Sequence, residues 1–82
     1  SIEALKRELV EHIRSACDHA YAAIQMDREP ELLSRPSRAE FGRRVDLKAH
    51  TVSRCFNDPS ARELMALWSI AGDLPAILRY GK

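Results

Sequence analysis

"FGRRVDLKAHTVSRCF" runs from Phe41 to Phe56. It carries four cationic side chains and a histidine, yet apolar residues recur through it at helical intervals. Phe41 and Val45 fall on one face with Gly42 beside them, which predicts a short helix. A glycine inside a helix costs about 1 kcal/mol against alanine. That cost has a reason if another helix crosses closely at Gly42. Asp46-Leu47-Lys48 follows, and Asp is among the few residues that tolerate a left-handed backbone, so the chain can turn a tight corner there. A second helix is expected from about Ala49 to Asn57. Val52, Cys55 and Phe56 face one way along it, and His50, Ser53, Arg54 and Asn57 the other.

Upstream, Ser37-Arg-Ala-Glu40 reads as a capping box that opens the first of these helices. Residues 27–36 hold two prolines and mixed charge and read as a linker, with Leu32 and Leu33 folding back onto the core as a short turn. Residues 1–26 read as one long helix. Ile2, Leu5, Leu9, Ile13, Ala16/Cys17, Ala20 and Ala23/Ile24 form its apolar stripe, and Glu3/Arg7 and Arg14/Asp18 are candidate i,i+4 pairs. The stripe repeats nearer 3.67 than 3.5 residues per turn, and a strict heptad through it would place His12 and His19 in the seam. A globular role is therefore expected rather than a zipper. At about 38 Å the helix outreaches a small core, so part of its stripe is expected to meet a second subunit.

Downstream, Ser60-Ala-Arg-Glu63 reads as another capping box after Asp58-Pro59. Leu64, Leu67, Trp68 and Ala71 supply an inner face, and Gly72 is expected to end that helix. Leu74–Leu78 reads as a last short helix with Gly81 as its C-cap. No strand is expected. The fold class is all-α, about five helices in one domain over 1–82, with 37–80 as the compact core.

Eighty-two residues with a net charge of +1 make one small domain. The charge is unevenly placed. Residues 1–34 hold four Lys/Arg against seven Asp/Glu, and 35–54 hold six against two. A basic middle and an acidic arm point to a polyanionic partner for the middle only. No apolar run approaches the roughly 20 residues a membrane helix needs, so no membrane partner is expected. The start "SIEALKREL" mixes charge with apolar residues and does not read as a signal peptide. Cys17 and Cys55 read as buried free thiols of a reducing cytosol. His12, Cys17, Asp18 and His19 lack the shared-face spacing that metal ligands need on a helix, so neither metal nor cofactor is expected. No nucleophile–base pair or glycine-rich phosphate loop supports an enzyme.

Two short helices with a tight corner, the second presenting polar side chains outward, match a helix-turn-helix. Residues 38–57 resemble the helix-turn-helix of Cro- and phage-repressor-type DNA-binding domains. The family's small residue falls on Gly42, its apolar residues flanking the corner on Val45 and Leu47, and its buried β-branched residue on Val52. The family's "T-[IV]-S-[RK]" run stands as Thr51-Val52-Ser53-Arg54, and Pro59-Ser60…Leu64…Leu67…Ile70-Ala71…Leu74 resembles its fourth helix. Three departures stand out. Asp46 replaces the usual corner Gly, Lys48 the usual Ser/Thr cap, and the loop 57–59 is shorter than usual. The long first helix is also not the family's compact one.

The resemblance implies a repressor-like transcriptional regulator that binds double-stranded DNA, cytoplasmic and nucleoid-associated. It would act most simply as a homodimer on a palindromic site. By position in the family pattern, Lys48, Ala49, His50, Ser53, Arg54 and Asn57 face the groove. Arg54 takes a guanine or a phosphate, and Asn57 an adenine. Arg38 is placed to clamp a phosphate, with Arg43, Arg44 and Arg35 as weaker phosphate candidates. Two other readings stay open. One is a protein-interaction module, antitoxin-like or polymerase-binding, using the acidic first helix. The other is a non-specific DNA-coating protein.

Overall fold

The computed structural model describes residues 1–80. They form four α-helices: α1 (Ile2–Gln25), α2 (Arg38–Arg44), α3 (Ala49–Phe56) and α4 (Arg62–Tyr80). No strand occurs among the described residues.

α1 starts on Ser1, whose hydroxyl accepts from the Ala4 amide. It ends on Asp27, with φ at 55°. The Arg28 amide donates to the Ala23 carbonyl and the Asp27 amide to that of Ile24, which makes this end a Schellman motif. α2 repeats the device. Ser37 accepts from the Glu40 amide, as the capping box requires. The reciprocal half is not made, because the Glu40 carboxylate turns to Arg43 and Arg44 instead. Asp46 takes the left-handed position at φ 58°, and the Leu47 amide reaches back 2.8 Å to the Gly42 carbonyl. The corner over 45–48 is thus a Schellman motif with aspartate where glycine is usual.

One core joins the elements. Leu5 and Leu9 of α1, Phe41 of α2, Val52 and Phe56 of α3, and Leu64, Trp68 and Ala71 of α4 are buried together. Trp68 is its hub, with ring centroids 5.4 Å from Phe41 and 5.2 Å from Phe56, the latter edge-on. Gly42 is buried where α2 crosses α3, as its position predicts.

α1 and α4 run side by side in the same direction. Lys6 Nζ near the start of α1 lies 3.0 Å from Glu63 at the start of α4. The molecule is 42 Å long, so a 24-residue α1 of about 36 Å fits only with α4 alongside it. Ala16 and Ala20 continue the buried line of α1, while Ile2, Ile13 and Ala23 are half-buried. Cys17 and Ile24 are exposed, against expectation, because the alanines flanking them take the α4-facing line. Cys55 is half-buried against the core. The surface pairs also differ from those expected. Glu3 meets Lys6 and Arg14 meets Glu11, both at i,i+3.

α4 passes through both expected breaks. Gly72 and Pro75 lie inside it, so the chain has four described helices and not five. A Cβ on Gly72 would stand 2.6 Å from Arg35 Nη1, which donates to the Trp68 carbonyl at 2.9 Å. The glycine is there to admit a guanidinium, not to stop a helix. Ser60 does not cap α4. Its amide and hydroxyl both donate to Asp58, and the first helical bond runs from the Met65 amide to the Ala61 carbonyl. Those two donors hold the Asp58 carboxyl below its usual range. The expected C-cap at Gly81 lies outside the described residues.

Residues 28–37 return along the bundle in extended form, with no turn at Leu32 and Leu33, which are half-buried. Arg35 straps this segment down, its guanidinium 4.1 Å above the Trp68 ring.

Candidate nucleic-acid interface

α3 is fixed from beneath. Val52 and Phe56 are buried one turn apart, and Cys55 packs beside them. The opposite face is therefore set by the 3.6-residue repeat. His50, Ser53, Arg54 and Asn57 are all exposed, and Lys48 and Ala49 are exposed at the start of the helix. Lys48 occupies the N-cap without a side-chain hydrogen bond to the helix. The first amides of α3 and a lysine ammonium thus lie at one end, where the helix dipole adds further positive potential.

The cations of residues 35–54 divide by what they touch. Arg35 is committed to the Trp68 carbonyl and ring. Arg38 is exposed, with its guanidinium carbon 4.2 Å over the Phe56 ring and 5.7 Å from that of Trp68. Arg43 pairs with Glu40, whose carboxyl it holds below the usual range by that hydrogen bond. Arg44 lies 4.0 Å from both Glu8 and Glu40. Lys48 and Arg54 form no ion pair among the described residues. Within residues 35–54, the two cations with neither an ion pair nor an aromatic seat thus lie at the two ends of the exposed face of α3. The aromatic seats under Arg35 and Arg38 have no local signature in the sequence, since they bring together residues from separate elements.

His12 is a second feature of this end of the molecule. It lines an open pocket of about 400 Å³ with Glu8, Glu11, Ser15, Leu33, Ser34 and Arg44. Its Nε2 is buried without a hydrogen-bond partner. Burial, and then the nearby Arg44 guanidinium, lower its pKa, and Glu8 only partly opposes them. The folded state therefore binds the His12 proton less readily than the unfolded chain does. Below about pH 6.5 the unfolded state gains that proton first, and stability falls with pH until folded His12 also titrates. Glu40 and Asp58 act the same way only below their lower reference values of 4.5 and 3.8. Urea melts between pH 7.5 and 5 are expected to show a stability loss that His12→Gln abolishes. An equal loss in that variant would remove His12 as the cause.

No family model, curated protein or solved structure matches this chain.

Proposed function

We propose that the chain is a sequence-specific double-stranded DNA-binding protein, a transcriptional regulator that seats α3 in the major groove. In this reading α2, the corner and α3 act as a helix-turn-helix, as the resemblance of residues 38–57 implies. One observation carries it. α3 is clamped by Val52 and Phe56 while His50, Ser53, Arg54 and Asn57 project away from the core, with Lys48 and Arg54 unengaged at its ends. DNA rewards that arrangement twice. Cations displace counterions from the phosphates, and polar side chains at helical spacing meet base edges. Arg54 takes a guanine edge or a phosphate, Asn57 an adenine edge, and the Arg38 guanidinium rises from its aromatic seat to a phosphate. A near-neutral total charge is no obstacle, because only the docking surface must be positive. One such helix reads few base pairs, so useful discrimination calls for a two-fold dimer on a palindromic site. A regulator of this kind resides on the nucleoid.

Selection of bound duplexes from a random pool, followed by salt titration, tests the reading. A consensus with a steep salt dependence is expected. Arg54→Ala should weaken binding to the selected duplex by about 1–3 kcal/mol, roughly 5- to 150-fold. Its unfolding free energy should stay within about 0.5 kcal/mol, because the residue is exposed. Binding without sequence preference would make the protein a coating factor. No binding even at low salt would refute a DNA role and leave an interaction module.

A further inference from the structure

α1 and α4 leave one shared face uncovered, and it is apolar. On α1, Glu3, Val10, Cys17 and Ile24 recur every seven residues, and on α4 Glu63, Ile70 and Ile77 do the same. The contacts of Lys6 with both Glu3 and Glu63 put the two rows on the same side of the helix pair. The other side is occupied. There Arg44 of α2 approaches Glu8, and Arg35 and Leu32 of the extended segment lie against α4. Beyond the charged Glu3–Lys6–Glu63 end, the free side shows Val10, Ile24, Ile70 and Ile77 at 40, 64, 45 and 53% exposure. Between them lie half-buried Ile13 and Leu67 and exposed Cys17. Val10 to Ile24 alone covers about 21 Å of helix. A continuous strip of this kind marks an interface on a protein surface.

We propose that a second copy of the chain docks on this face, with the two-fold axis parallel to α1 and α4. The rim charges select both the occupant and the axis. Arg14 and Asp73 are exposed, and the 3.6-residue repeat turns each away from the buried line of its helix, Arg14 at the α1 rim and Asp73 at the α4 rim. Measured from the Lys6–Glu63 contact, Arg14 is about 12 Å along its helix and Asp73 about 15 Å along its own. They stand at nearly the same height on opposite rims. Rotation about an axis parallel to the helices lays α1 of one copy over α4 of the other. Arg14 of each copy then meets Asp73 of the other, twice. An axis across the helices would instead stack α1 on α1 and set like rims together. Arg14 now pairs only with Glu11, at 3.3 Å on the solvent-exposed surface, and Asp73 has no ion-pair partner among the described residues. The exchange therefore gives up little. This dimer is a four-helix packing with α2 and α3 of both copies at one end. The dimer itself does not rest on the DNA reading; only the use made of that common end does.

Sedimentation equilibrium of the whole chain without DNA tests the proposal. A dimer with a dissociation constant in about the micromolar range is expected. Ile70→Asp combined with Ile77→Asp should give a monomer that keeps its far-ultraviolet helicity, since both side chains are on the surface. Arg14→Glu and Asp73→Lys should each weaken the dimer about tenfold, and the two together should restore it. A wild-type monomer at about 1 mM, or a dimer that survives the double isoleucine change, overturns the interface. Failure of the charge swap to restore association overturns the axis. Arg54→Ala should dimerise like the wild type, so failure of the DNA reading and failure of this one are separately visible.

Discussion

Trp68→Ala is expected to lower the unfolding free energy by about 3–5 kcal/mol. For a domain of this length the whole native stability is roughly 4–12 kcal/mol, so the variant should sit near the edge of folding. The size of the effect follows from what the indole touches. Phe41 of α2 packs at 5.4 Å and Phe56 of α3 packs edge-on at 5.2 Å. The Arg35 guanidinium lies 4.1 Å above the ring and that of Arg38 5.7 Å away. Truncation removes the surface on which α2, α3 and the extended segment all meet α4. Both arginines lose their contact with the indole face, and Arg35 keeps only its bond to the residue-68 carbonyl. Urea melts followed by circular dichroism should show a broad, early transition, while Trp68→Phe should retain most of the stability by keeping an aromatic face. A Trp68→Ala midpoint close to the wild type would mean that the elements are held together elsewhere.

The elements that could be read in the sequence are those whose causes are local. Ser37 caps α2, Asp46 turns the corner, and Val52 and Phe56 give α3 its buried side, all within twenty residues of one another. The outer face of α3 was legible for the same reason, since burying one side of an eight-residue helix leaves only one other. The elements that differed from expectation have distant causes. Gly72 and Pro75 carry the residue types of a helix end, yet α4 continues, because Gly72 answers to Arg35 across the bundle. Along α1 the apolar positions span too wide an arc for the repeat to say which are covered. The neighbouring helix decides it, and Ala16 and Ala20 take the inside while Cys17 and Ile24 stay out. Charge was legible as a total and as a cluster, but not by use. Arg35, Arg43 and Arg44 lie in the basic stretch, and each is engaged within the chain. Only coordinates separate those from Lys48 and Arg54.

Gly42→Ala is the sharper test of the corner, because two effects of opposite sign compete there. In an open helix the alanine would stabilise by about 1 kcal/mol. Here the added Cβ would stand 2.6 Å from Val52 Cγ2 and 2.9 Å from the Leu47 carbonyl oxygen. Neither neighbour yields easily. Val52 is β-branched, buried to 1% exposure and held to one helical rotamer. The Leu47 carbonyl is backbone, in the corner that the bond from the Leu47 amide to the Gly42 carbonyl closes. α2 and α3 must separate, so the overlap outweighs the propensity gain and a net loss of about 1–3 kcal/mol is expected. The same separation tilts α3, so binding to a selected duplex should fall even where the variant remains folded. Val52→Ala removes the closer of the two clashing atoms. Combined with Gly42→Ala it should show a favourable coupling of about 0.5–3 kcal/mol in a double-mutant cycle. A Gly42→Ala protein more stable than its parent would show that the corner has room, and with it would go the argument that α3 is held rigidly enough to read a groove.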